Sequence, residues 1–247
     1  MELRESQKLK ELWLKALNCG ANTVLIRHGP KSGSNESGLS EEGKYLTKEY
    51  SFTLRDVFKG LFMPVLVCTD KIRTADTLKL LFSQLFSPLS YNFYFRTPRL
   101  NSPVISQGLQ NKVVELHNKY GHFRGYFLNQ TYYFFERLGG DFMDYDADES
   151  HSEVSRRMAI GINEDLSFIR KRSSANSVIY CGHSPAIELG LESLLGISLP
   201  ELGGFLNPLD SVHLKIDIEK MEFVARINPI VGYRDIESES YYGNTGV

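Results

Sequence analysis

The sequence predicts an α/β fold: a three-layer sandwich with a mostly parallel central sheet flanked by helices, plus an inserted helical cap and a C-terminal hairpin. Three observations carry this expectation. Short apolar runs of strand length alternate with longer segments of helical periodicity. The early runs are apolar at consecutive residues, the pattern of strands covered on both faces. The chain has 247 residues, 42% hydrophobic and 23% charged, which suits one large domain needing no disulfide or metal staple.

The elements follow in order. Residues 1–20 place Leu9, Leu12, Trp13, Ala16 and Leu17 at helical spacing, so they read as an N-terminal helix packed on the domain. Residues 22–28 form a buried strand. Residues 40–60 open on a capping Ser40 and the acidic pair Glu41 and Glu42, and read as a helix. A second strand is predicted over 64–69, a helix over 72–86 and an aromatic strand over 91–95. Segment 100–149 breaks the alternation. A third of the chain's aromatic residues fall between Tyr120 and Tyr145, so the segment reads as an inserted aromatic-rich cap with its own small core. A long helix over 152–171, a strand over 177–181 and a helix over 185–195 resume the pattern. Residues 211–218 and 221–227 alternate with period two around Glu219 and Lys220, the signature of a hairpin. The polar tail 237–247 reads as frayed. The whole is expected to be a single domain, 1–247.

Composition excludes several classes. Twenty-eight Lys and Arg against 30 Asp and Glu give a net charge of −2, which disfavours a general binder of nucleic acid or anionic membrane. No apolar run is long enough to span a bilayer, and the first 20 residues lack the apolar core of a signal peptide. Three scattered cysteines, Cys19, Cys68 and Cys181, make no disulfide framework, so a reducing, cytoplasmic setting is expected.

Ligands of open α/β sheets sit at the C-terminal ends of the strands. Three predicted ends carry polar residues: Arg27-His28-Gly29, then Thr69-Asp70-Lys71-Ile72-Arg73, then Gly182-His183-Ser184. Two His and two Arg would meet on one rim. A neutral imidazole is a nucleophile. A guanidinium is the best fork for phosphate oxygens and stabilises charge developing on them. That set of side chains suits a phosphoryl group moving onto and off a histidine.

On these residues the chain resembles the histidine phosphatase superfamily, with its phosphoglycerate-mutase-like fold. The resemblance spans residues 24–77 and 149 to about 218. It rests on Arg27-His28-Gly29, on Leu39-Ser40-Glu41-Glu42-Gly43, on Arg73 with Thr77, on Glu149-Ser150 and on Gly182-His183, in the family's order. It implies His28 as the nucleophile that becomes phosphohistidine, with Arg27, Arg73 and His183 as the phosphate pocket. Gly29 and Asn35 are implied as weaker phosphate contacts, although the loop before Asn35 departs from the family's pattern. No cofactor or metal is implied. The implied partner is a phosphorylated small molecule or a phosphoprotein, with oligomer formation left open.

One departure matters. The family's acid, which protonates the leaving oxygen, has no counterpart in residues 100–108, and Ser184 stands where the acid-phosphatase branch has Asp. Glu115, Asp141 and Asp144 in the cap are the candidate acids. A missing acid would slow attack on alkyl phosphates more than on phosphohistidine, acyl or aryl phosphates. The expected activity is therefore a metal-independent phosphatase with an acidic-to-neutral pH profile. The alternatives are a weak or inactive binder of phosphorylated ligands and, lower in rank, a phosphoglycerate-type mutase.

Two other motifs fail on physical grounds. The Gly38-to-Lys44 stretch resembles a P-loop but is followed by Tyr45, where Mg²⁺ binding needs a hydroxyl of Ser or Thr. Gly182-His183-Ser184 resembles a hydrolase elbow, but Pro185 has no backbone N–H for an oxyanion hole.

Overall fold

The computed structural model describes residues 2–31, 38–59, 64–83, 94–104, 106–109, 111, 149–172, 177–217 and 220–231. Most of the predicted 100–149 cap, the 237–247 tail, Asn35, Glu115, Asp141 and Asp144 lie outside them.

In chain order the elements are β1 (Glu2–Leu3), α1 (Ser6–Asn18), β2 (Thr23–Arg27), α2 (Glu41–Phe58), β3 (Val65–Cys68), α3 (Ile72–Phe82) and β4 (Tyr94–Arg96). A 3₁₀ turn (Pro98–Leu100) follows, then α4 (His151–Arg172), β5 (Val178–Gly182), α5 (Ala186–Leu195), β6 (Ser211–Ile216), β7 (Met221–Ile227) and β8 (Ile230–Val231). Six strands form one sheet in the order β4-β3-β5-β2-β6-β7. A separate pair joins β1 to β8 antiparallel, which the sequence pattern does not announce.

The sheet is mixed, which corrects the expectation of a mostly parallel one. The pairs β2–β5, β3–β5 and β3–β4 are parallel, whereas β2–β6 and β6–β7 are antiparallel. The reason lies in the loop before β6. It stays at the C-terminal end of β2, where Leu209 N–H donates to Arg27 C=O and Arg27 N–H donates to Asp210 C=O. The chain therefore enters β6 beside the residue that ends β2 and must run back along it. A short turn then forces β7 to reverse again.

Alternate residues of the central strands feed two cores. Leu25, Val67 and Tyr180 pack with Val154, Met158 and Ile162 of α4 and with Ile187 and Leu191 of α5. Val24, Ile26, Cys68 and Ile179 pack with Leu9 and Trp13 of α1, Leu46 and Leu54 of α2, and Leu78 of α3. This is why strands buried on both sides read as continuous apolar runs. Helix α4 starts with a reciprocal cap: Ser150 Oγ accepts from Glu153 N–H (3.3 Å), and Glu153 accepts from Ser150 N–H (2.7 Å). Among the described residues no helix is long and apolar enough to cross a membrane.

Candidate active site

The parallel registers set the C-terminal ends of three strands side by side. Arg27 of β2 lies opposite Gly182 of β5, and Cys181 of β5 opposite Cys68 of β3. The residues just past those ends, His28, His183 and Thr69, therefore emerge on one rim, and Arg73 reaches it from the first turn of α3. Arg27, His28, Arg73 and His183 are all buried. The backbone N–H of His28 donates to Gly182 C=O (3.1 Å), which locks the two histidine loops together.

Arg73 is the hub. Its Nε donates to His28 Nε2 (3.2 Å) and its Nη2 lies 3.3 Å from His183 Nδ1. The two imidazole rings stand 5.1 Å apart, edge to face. His28 Nδ1 lies 2.7 Å from Gly29 C=O. A carbonyl only accepts and a guanidinium only donates, so His28 carries its proton on Nδ1 and keeps the Nε2 lone pair. A neutral imidazole with a free lone pair can act as a nucleophile. Burial holds His28 well below the usual histidine range, and the Arg27 and Arg73 charges push the same way. His183 is lowered by burial first, then by His28, Arg73, Arg27 and Lys71.

The motifs around His28 act through packing. Thr77 Oγ1 accepts from Gly29 N–H (3.0 Å) and donates to Arg73 C=O (2.7 Å), so it ties the loop after His28 to the arginine's helix. A Cβ on Gly29 would come within 2.7 Å of Thr47 Oγ1. On Gly43 it would meet Pro30 C=O at 2.1 Å, so only glycine lets the start of α2 close on the loop after His28. Ser40 completes that contact, its N–H donating to Pro30 C=O (3.0 Å) while its Oγ accepts from Gly43 N–H (2.9 Å).

Arg27 is held from the other side. Its Nη1 donates to Leu206 C=O. Leu206 N–H in turn donates to Glu188 Oε1 (2.8 Å), which also accepts from Ser184 Oγ (2.6 Å). Burial pushes the Glu188 carboxyl up. The loop carrying Leu206 is clamped by Arg226, which donates to Asp210 Oδ2 (2.6 Å) and to the carbonyls of Leu202, Gly204 and Phe205.

The four sequence-predicted pocket residues thus come together, with Gly29 beside them. Asn35, Glu115, Asp141 and Asp144 lie outside the described residues. Glu149 is engaged elsewhere than with the four pocket side chains. It forms a two-point ion pair with Arg157 (2.6 and 2.8 Å), and its backbone and carboxylate both bond Val104. Sequence reasoning set Thr69 at a strand end without giving it a role, and missed Thr74, Glu188 and Arg226. Only Ser184 and Glu188 left a trace, at the i, i+4 spacing of one helical turn directly after Gly182-His183. Among the described residues no group of three or more His, Cys, Asp or Glu is placed to hold a metal ion.

No family model matches the sequence, and no curated protein does. Solved structures do match. A mycobacterial glucosyl-3-phosphoglycerate phosphatase complexed with VO3 aligns with a TM-score of 0.59 and 17% identity over 82% of this chain and 96% of that one. The α-ribazole phosphatase of Shigella flexneri aligns at 0.56 and 15%, over 82% and 94%. A phosphoserine phosphatase mutant of Entamoeba histolytica, complexed with phosphoserine, aligns at 0.54 and 14%, over 83% and 95%. The chain has the fold of the histidine phosphatases.

Proposed function

We propose that this protein is a metal-independent phosphatase that hydrolyses phosphate groups through a phosphohistidine on His28. One observation carries the reading: the Arg73 guanidinium spans the lone-pair nitrogens of two histidines on neighbouring strand ends. An arriving phosphoryl oxygen would draw Arg73 away from His28 Nε2 and free it. Nε2 then attacks phosphorus in line, the P–O ester bond breaks, and the leaving oxygen takes a proton from water or from one of Glu115, Asp141 and Asp144 in the cap segment. Arg27 and Arg73 stabilise the charge on the equatorial oxygens, and water later cleaves the P–N bond to release phosphate. The fold's likeness to phosphatases acting on unlike esters supports the reaction class, while leaving the substrate to the cap. In this reading the partner is a phosphorylated small molecule or a phosphoprotein. Three free cysteines, two of them buried, fit a reducing cytoplasm.

The test is turnover of p-nitrophenyl phosphate and phosphohistidine in EDTA, with ³²P labelling of His28. Wild type should turn over and label, and His28→Ala should do neither; activity unchanged in His28→Ala would overturn the proposal. A second reading, a binder of phosphorylated ligands without turnover, is favoured by one observation. Residues 101–104 and 106–109, where a leaving-group acid is expected, carry no carboxylate, and Glu149 beside them is engaged by Arg157. Labelling of His28 followed by release of phosphate would eliminate it.

A further inference from the structure

The Thr69 hydroxyl, just past β3, lies 3.1 Å from His183 Nε2, 2.8 Å from Thr74 Oγ1 and 3.2 Å from Lys71 N. Thr74 Oγ1 lies 2.8 Å from Lys71 C=O. All these contacts are settled by donor counting. A carbonyl only accepts, so the single Thr74 proton goes to Lys71 C=O. Thr69 must then give its own proton to Thr74. Its lone pairs take the Lys71 N–H and one proton from His183, so the His183 proton sits on Nε2. The opposite side of the ring agrees independently: Arg73 Nη2 only donates, so Nδ1 is the lone-pair nitrogen. Thr69, Thr74 and His183 are all buried, so water does not compete for these bonds.

We propose that Thr69, backed by Thr74, is a positioning residue that fixes the His183 proton on Nε2 and makes Nδ1 the atom that meets the phosphoryl group. Any further proton enters His183 at Nδ1. A phosphate monoanion would pass its proton there, becoming a dianion while the ring becomes imidazolium, with the total charge unchanged. The new Nδ1–H then donates back to a phosphoryl oxygen. The groups facing His183 are His28, Arg73, Arg27 and Lys71, neutral or cationic, so the ring stays unprotonated until an anion arrives.

The kinetic part rests on the phosphatase reading; the tautomer does not. The experiment is nitrogen-15 NMR of the full-length protein, with the His183 ring assigned by His183→Gln. Wild type and Thr69→Ser should show Nε2–H, and Thr69→Val a mixed tautomer. In the kinetic arm, Thr69→Val should lose about tenfold in kcat, the scale of losing a partner that orients a functional histidine. KM should stay within about twofold because no substrate contact is removed, and the basic limb, where the added His183 proton is lost, should move to lower pH while the acidic limb set by His28 stays in place. Nδ1–H in wild type, or an unchanged tautomer in Thr69→Val, overturns the proposal. If Thr69→Val does not fold, Thr74→Val decides: it frees the Thr69 proton to turn toward His183, and an unaltered Nε2–H there is the refuting result. Absence of turnover on every phosphate tested would sink the phosphatase reading and leave the tautomer result to stand or fall by itself.

Discussion

Arg73 Nε and Nη2 each reach a histidine lone pair, so one planar fork serves two rings before any anion is bound. A lysine is a point charge and cannot bridge both. Arg73→Lys should therefore lose about 10²-fold or more in kcat/KM, the scale of losing one preorganised donor; near-wild-type kinetics would show that the fork is unnecessary. The direction of the His28 shift makes a second prediction. Burial, then Arg27 and Arg73, lower it well below 6.5, so the folded protein keeps this imidazole neutral at pH values where free histidine is half charged. With chemistry rate-limiting, the acidic limb of kcat/KM should lie below pH 6.5. A limb at or above that value would contradict the assignment of His28.

Each helix or loop that delivers a pocket residue is pinned by a contact away from the chemistry. Helix α2 abuts the loop after His28 through Gly43, where a methyl would meet Pro30 C=O at 2.1 Å. Gly43→Ala should destabilise by about 1–3 kcal/mol, as overpacking does, and should lower turnover because Pro30 follows the His28-Gly29 turn. A wild-type urea midpoint in Gly43→Ala would show that α2 is not held there. The loop beneath Arg27 depends on Arg226, whose removal leaves the fully buried Asp210 carboxylate with the Asn207 N–H but without its ion-pair partner. Arg226→Met should cost about 3–5 kcal/mol in equilibrium unfolding, the scale of breaking one side of a buried pair; a loss under 1 kcal/mol would count against the clamp. At the start of α4, Ser150→Ala should cost about 1 kcal/mol by removing the cap.

At the scale of the whole molecule, the three histidines buried among the described residues make the fold acid-sensitive. His213 packs edge-on against Trp13 and burial pushes it down to about 3; His28 and His183 shift the same way. The unfolded chain takes up these protons near pH 6.5 while the folded one does not. Stability is therefore complete above that pH and is lost as pH falls from 6.5 toward the folded values, at up to about 1.4 kcal/mol per pH unit for each histidine. His213→Gln should lose urea stability less steeply than wild type between pH 6.5 and 4. Parallel slopes would show that His213 is not the group responsible.

The periodicity of the chain located β2, β3, β5, the helices between them and the terminal hairpin, because burial on one face or two leaves a local record in apolar spacing. It also located Arg27, His28, Arg73 and His183, since strand C-terminal ends are adjacent in sequence to the residues they present. Strand direction was not legible: β6 runs against β2 because hydrogen bonds at Arg27 hold the preceding loop on the rim, a contact between residues nearly two hundred positions apart. Nor were the roles of Thr69, Glu188 and Arg226, which depend on hydrogen bonds to residues 16 to 114 positions away. The amino-acid sequence by itself determined which side chains could do chemistry and roughly where the strands would place them. Only the tertiary structure bears on the proton of each ring, because a tautomer is fixed by the donors and acceptors packed around it, and Arg73, which faces both rings, comes from a helix rather than from the strands that end at the histidines.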